Sequence, residues 1–171
     1  DMVDIFAGNE VAPGFFAWSL PGGDFTRVGL CVSWEHGPPN IYLRRLLDSL
    51  HLSDAKVIRR HNGRIPLGGR PRSYGERLLL LGDAAGQVKP ISGGGLQPGL
   101  TAARCLAVTA HEALERDRLD AASLSVYEKR WKKAVGKELK NGYRLRRAYV
   151  RFSDEKMDEA YRILGSKDVM G

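Results

Sequence analysis

The sequence predicts a mixed fold, α+β with an α/β element. An antiparallel sheet fills the first third, a strand–loop–helix unit the middle, and helices the remainder. Three observations carry this. The first third alternates apolar and polar residues about Pro21, Gly22, Gly23 and Asp24, the pattern of a hairpin with one wet face. Leu78, Leu79, Leu80 and Leu81 follow one another without alternation, as in a parallel strand covered on both faces. From residue 96 onward apolar side chains recur every three or four positions, the helical period.

In chain order, residues 2–7 read as a short strand and 15–20 as an aromatic-rich one. Residues 27–34 give a third, alternating around Val28, Leu30 and Val32. A helix is expected over 40–50, its apolar face carried by Ile41, Leu43, Leu46, Leu47 and Leu50. Residues 56–60 suit a further strand, followed by a loop over 63–69. After the four leucines come Gly82 and Asp83, a Gly/Pro-rich loop over 86–95, and a helix to about residue 115. A long helix is expected over 123–151, and a last one over 154–164 behind the capping residue Ser153. The partition that follows is 1–75, 76–118 and 119–171. A parallel strand needs parallel neighbours, and this sequence holds none, so it reads as part of a larger protein.

Hydrophobic residues make up 43% and charged residues 27%, which excludes a disordered chain. The most apolar helical stretch, residues 96–114, is broken by Arg104, His111 and Glu112, so no spanning helix is expected. The opening residues run straight into a strand pattern rather than a leader, and as the start of a partial sequence they carry nothing about targeting. Cys31 and Cys105 lie far apart, as small buried apolar side chains would, with a redox thiol as the other reading. His36, His51, His61 and His111 are equally scattered, so no metal site is expected. A cytoplasmic setting suits the unpaired thiols.

The chemistry sits in residues 78–100, LLLLGDAAGQVKPISGGGLQPGL. A strand delivers Asp83 to its C-terminal end, where ligands bind in open α/β sheets, and a carboxylate there accepts hydrogen bonds from ligand hydroxyls. Gly93, Gly94 and Gly95 allow a flat ligand to approach the backbone. Pro98 falls in the first helical turn, where its missing N–H costs nothing, and the helix start offers free N–H donors to an anion. A glycine loop alone also serves as a plain strand-to-helix connection.

The whole string is more specific. GDAAGQVKPISGGG resembles the second FAD motif of the flavoprotein hydroxylase-like superfamily, in the form found in geranylgeranyl reductases. The resemblance implies FAD as cofactor, with Asp83 on the ribityl chain and Gly82 and Ala84 close by. It places the backbone of Gly93, Gly94, Gly95 and Leu96 against the pyrimidine end of the flavin, with Pro90 packed nearby. Upstream, Phe16, Trp18, Leu20 and Pro21 resemble the family's aromatic-x-Trp-x-aromatic-Pro element of the substrate-binding domain, with Leu20 in place of the usual aromatic residue. Phe16, Trp18 and Leu20 share one strand face by period two and would line an isoprenoid tunnel or, on pattern alone, an ordinary sheet core. On this resemblance 1–75 belong to the substrate-binding domain, 76–118 to the FAD-binding domain and 119–171 to a helical region. The expected activity is reduction of isoprenoid double bonds by hydride from reduced FAD. The family's GxGxxG and ribose-binding acid are absent from this sequence, so the chain alone is expected to be inactive. No catalytic residue is assigned.

The formal charge is +7, from 27 basic and 20 acidic residues. Ten of the basic residues fall within 127–151, against Glu128 and Glu138. Leu124, Tyr127, Trp131, Val135, Leu139 and Tyr143 form an apolar stripe along the same helix, leaving the opposite face positive. That face suits plain solvation, an anionic membrane surface bound peripherally, or an acidic electron donor such as ferredoxin, with NAD(P)H the other donor. It comes with no nucleic-acid-binding motif, so no nucleic acid is expected. The alternatives are a related monooxygenase, an electron-transfer dehydrogenase, or a binding module without catalysis.

Overall fold

The computed structural model describes residues 2–164. Contacts divide them into two units, one formed by residues 2–61 with 148–164, the other by 62–147. The fold is mixed α+β, helices with small antiparallel sheets, as the composition of patterns predicts.

The first unit is built on an antiparallel sheet of β1 (Asp4–Ala7), β2 (Phe16–Pro21) and β3 (Thr26–Leu30), in that order. The predicted hairpin forms: Gly22 N–H donates to the Phe25 carbonyl at 2.8 Å. Register puts Phe6, Ala17 and Leu30 side by side. They pack with Ala12, Val11 and Val28 against Leu46 and Leu50, the face that helix α1 (Pro39–Ser49) and its end present. β3 stops at Leu30, and Trp34 starts a short 3₁₀ turn instead of ending a strand. The expected strand over 56–60 is absent. Val57 and Ile58 are exposed coil, because no neighbouring strand offers them a ladder and a strand is stable only when paired.

In the second unit the prediction for the four leucines is corrected. Only β5 (Leu78–Leu79) is a strand, and it pairs antiparallel with β4 (Tyr74–Gly75). Leu78 is 50% exposed and Leu81 is exposed as well. No parallel neighbour exists among the described residues, so the run takes the nearest partner, with Leu79 packed on the helical core and Leu78 and Leu81 left exposed. A 3₁₀ turn (Gly82–Ala85) and a loop lead to α2 (Leu96–Glu115), then α3 (Ala121–Trp131). Asp120 caps α3 by accepting from the Ser123 N–H at 2.9 Å and the Ser123 hydroxyl at 2.6 Å.

The long basic helix is continuous but not uniform. A π turn (Lys132–Gly136) joins α3 to α4 (Lys137–Tyr149). The reason lies in the spacing. Tyr127, Trp131, Val135 and Leu139 are four apart, and each step of four overshoots a full α turn by about 40°. The wider π turn absorbs that drift, so Tyr127, Trp131 and Val135 are all buried with Ala102, and Leu139 packs on them. Helix α5 (Asp154–Leu164) forms as expected, and Asn9 ties its start to the first unit by donating to Asp154 at 2.7 and 2.8 Å.

Candidate cofactor-binding site

The loop from Gly82 to Gly95 is held from behind and open in front. Behind it, Ala85, Gly86, Gln87, Val88 and Pro90 are buried. Gly86 adopts φ +67°, and a Cβ there would stand 2.5 Å from the Gly68 carbonyl oxygen, so only glycine lets the two loops touch. Pro90 rests against Gly142 of α4, and Arg146 donates to its carbonyl at 3.3 Å. Lys89 pairs with Glu138 at 2.9 Å. Backbone bonds from Lys89 N–H to Gly94 O and from Gly93 N–H to Lys89 O close the loop on itself.

In front, Asp83, Ala84, Gly94 and Leu96 are exposed, Leu96 at 83%. The Asp83 carboxylate lies against Gly95, where an added Cβ would meet its Oδ1 at 3.1 Å. Gly95 is also the N-cap of α2 and supplies no side-chain cap. The first turn of α2 therefore keeps donors for an outside acceptor. The structure thus brings Gly82, Asp83, Ala84, Gly93, Gly94, Gly95 and Leu96 together around one open helix start, and puts Pro90 on the supporting side. Such a surface fits a ligand that carries hydroxyls and a flat ring with an electron-rich edge.

Sequence reasoning missed what holds the turn. Gln87 is fully buried; its Oε1 accepts from Gly82 N–H at 2.8 Å and its Nε2 donates to the Tyr127 hydroxyl at 2.9 Å. That hydroxyl donates in turn to the Leu80 carbonyl at 2.7 Å. Burial pushes the Tyr127 phenol above its ordinary value, against the opposing effect of the Gln87 bond. A lone glutamine between glycines gives no periodic signal, and Tyr127 announced only the apolar half of its role.

In the first unit, Phe16, Trp18 and Leu20 share the sheet face that α1 does not cover, with Pro21 exposed at the strand end. Ala17 and Ser19 point the other way and are buried. The small residues make the core and the large ones the half-open wall. The Phe16 and Trp18 rings stand 5.9 Å apart, and Trp18 lies across Gly29.

A profile described as Lycopene cyclase protein matches residues 40–165. The chain belongs to the lycopene cyclase protein family. This is an FAD-binding flavoprotein family. Among relatives, the chain is 32% identical over 171 residues to the digeranylgeranylglycerophospholipid reductase of Methanothrix thermoacetophila, covering 97% of this chain and 44% of that one. It is 33% identical over 174 residues to digeranylgeranylglycerophospholipid reductase 2 of Methanothermobacter thermautotrophicus, with 99% and 44% covered. The resemblance to geranylgeranyl reductases is therefore borne out. A solved geranylgeranyl bacteriochlorophyll reductase-like protein from Thermoplasma acidophilum superposes with a TM-score of 0.86 at 23% identity, over 96% of this chain and 43% of that one. It shares the fold. The lycopene cyclase family chain thus spans a little under half the length of these relatives.

Proposed function

We propose that this chain is the C-terminal portion of an FAD-dependent reductase that saturates isoprenoid double bonds, such as those of geranylgeranyl chains on lipids. The supporting observation is the Asp83 carboxylate set against Gly95 at the uncapped start of α2. Asp83 would accept hydrogen bonds from the ribityl hydroxyls, with Gly82 and Ala84 beside it and Pro90 bracing the loop. The backbone of Gly93, Gly94, Gly95 and Leu96 would lie against the pyrimidine end, where the helix start favours negative charge. Bound FAD, when reduced, supplies the hydride. Phe16, Trp18 and Leu20, with Pro21 at the rim, would hold the isoprenoid by apolar contact and exclude water. In this reading residues 1–75 belong to a substrate-binding domain, 76–118 to the FAD-binding domain and 119–171 to a helical region.

The electron donor is an acidic protein of the ferredoxin kind or NAD(P)H, and the basic helix favours the first or an anionic membrane surface. Lys129, Lys133, Lys137, Lys140, Arg144 and Arg147 recur three or four residues apart, are exposed, and take no ion pair among the described residues. No helix of the described residues is long and apolar enough to cross a membrane.

The family's name suggests a second isoprenoid reaction, ring closure. Identity to reductases weighs against it, and product mass separates the two: saturation adds two hydrogens per double bond, whereas cyclisation leaves the mass unchanged. The first test is the visible spectrum of the whole protein containing this chain, after FAD addition and desalting. Retained flavin bands support the reading, and a protein that never keeps flavin overturns it.

A further inference from the structure

We infer that Gln87 is a positioning residue for the cofactor site, holding both peptide groups of Gly82 so that the turn aims the Asp83 carboxylate, with Tyr127 as its anchor on α3. The inference rests on the FAD reading above. Among the described residues the Asp83 side chain takes no hydrogen bond, so its direction is set by its backbone and by packing against Gly95. That backbone is held on both sides: Gly86 N–H donates to the Asp83 carbonyl at 2.9 Å, and Gln87 grips Gly82 just before it. Gln87 Oε1 accepts from Gly82 N–H at 2.8 Å, and Gln87 N–H donates to the Gly82 carbonyl at 3.0 Å.

Gly82 itself sits at φ +62°, a left-handed conformation that glycine enters at little cost but does not hold by its own preference, so the hydrogen bonds around it fix the turn. A side chain chosen only to fill this fully buried space would be apolar, because burying a primary amide is costly unless each of its groups is paired. Here they are paired outward, to the turn on one side and to Tyr127 at 2.9 Å on the other. Tyr127 then donates to Leu80 O at 2.7 Å. The network therefore grips the chain at Leu80 and at Gly82, on either side of Leu81 and just before Asp83.

The test is an FAD titration of the apo form of the whole protein, followed by flavin fluorescence, for wild type, Gln87→Met and Gln87→Glu across a pH series. Thermal unfolding of each apo form runs in parallel. Gln87→Met, which fills the space without either bond, should bind FAD about tenfold more weakly at every pH. Gln87→Glu should bind like wild type while its carboxyl is protonated and can still donate to Tyr127. It should lose about tenfold as the pH rises and that donor is lost. The ionisable neighbours are Cys105 and Glu128, which act on Tyr127, and Asp83 on the turn. All three are present in wild type, whose profile serves as the control. Both variants binding FAD with the wild-type affinity and pH profile, whatever their thermal stability, would overturn the inference while leaving the FAD reading intact. A wild type that binds no FAD removes that reading and the inference with it.

Discussion

At Asp83 the chain exposes a carboxylate beside the first turn of a helix and spends none of its own donors on it. A hydrogen bond to a charged group is worth about 1.5–3 kcal/mol, so Asp83→Ala should weaken FAD binding by roughly ten- to a hundredfold, read by flavin fluorescence titration. Gly86 carries structural weight instead. Its left-handed φ and the Gly68 oxygen 2.5 Å from any Cβ predict that Gly86→Ala costs about 2–4 kcal/mol in urea unfolding. Glu128 gives a pH signature. Burial opposes its charge, but bonds from Lys132 and from Ser73 N–H and Oγ prevail, so it ionises below its ordinary 4.5. An acid with a lowered folded pKa adds stability that is complete above about 4.5 and is lost as the pH falls through the folded value. Glu128→Gln should lower stability at neutral pH and flatten that acid loss, in urea unfolding across the range. At this scale the glycine-rich connection from Gly82 to the start of α2 was legible because glycine, aspartate and proline have fixed local uses. Gln87 was not, since its partners Gly82 and Tyr127 meet it only in three dimensions.

Among the elements, β2 shows how far periodicity reaches. Alternation assigns Phe16, Trp18 and Leu20 to one face and Ala17 and Ser19 to the other, but α1 decides which face is core. The four leucines show the opposite. Their pattern asks for cover on both faces, yet without a parallel neighbour they form only a two-residue antiparallel ladder. The 121–149 helix carries its irregularity in its spacing, for three successive steps of four cannot stay on one face of a pure α helix. A π turn is in effect one extra residue in such a helix. Deleting the exposed Ala134 should therefore let the turn relax to α and keep Trp131 and Arg146 on the buried side, with little change in Tm. Inserting one alanine at the same place should rotate α4 by about 100°, strip Gly142 and Arg146 from Pro90, and lower Tm strongly. Circular dichroism melts of the two variants check this.

Over the whole molecule, charge is the property with the longest reach. The six cations from Lys129 to Arg147 that take no ion pair among the described residues should bring an anionic partner in fast and release it with salt. Lys137→Glu with Arg144→Glu should slow association with an acidic donor or anionic vesicles at least tenfold at low ionic strength, and far less at high salt, by stopped-flow measurement. By itself the sequence determined the fold class, the hairpin, the helices, the glycine-rich loop before α2 and the family resemblance. Each of these depends on residues close together in the chain, on turn chemistry, capping or a repeat of two or 3.6. Only the tertiary structure decided which face of β2 is open, that the leucine run pairs antiparallel, and that Gln87 and Tyr127 grip the turn behind Asp83. Those outcomes depend on which distant segment arrives to cover a surface or accept a hydrogen bond, and no local pattern encodes that.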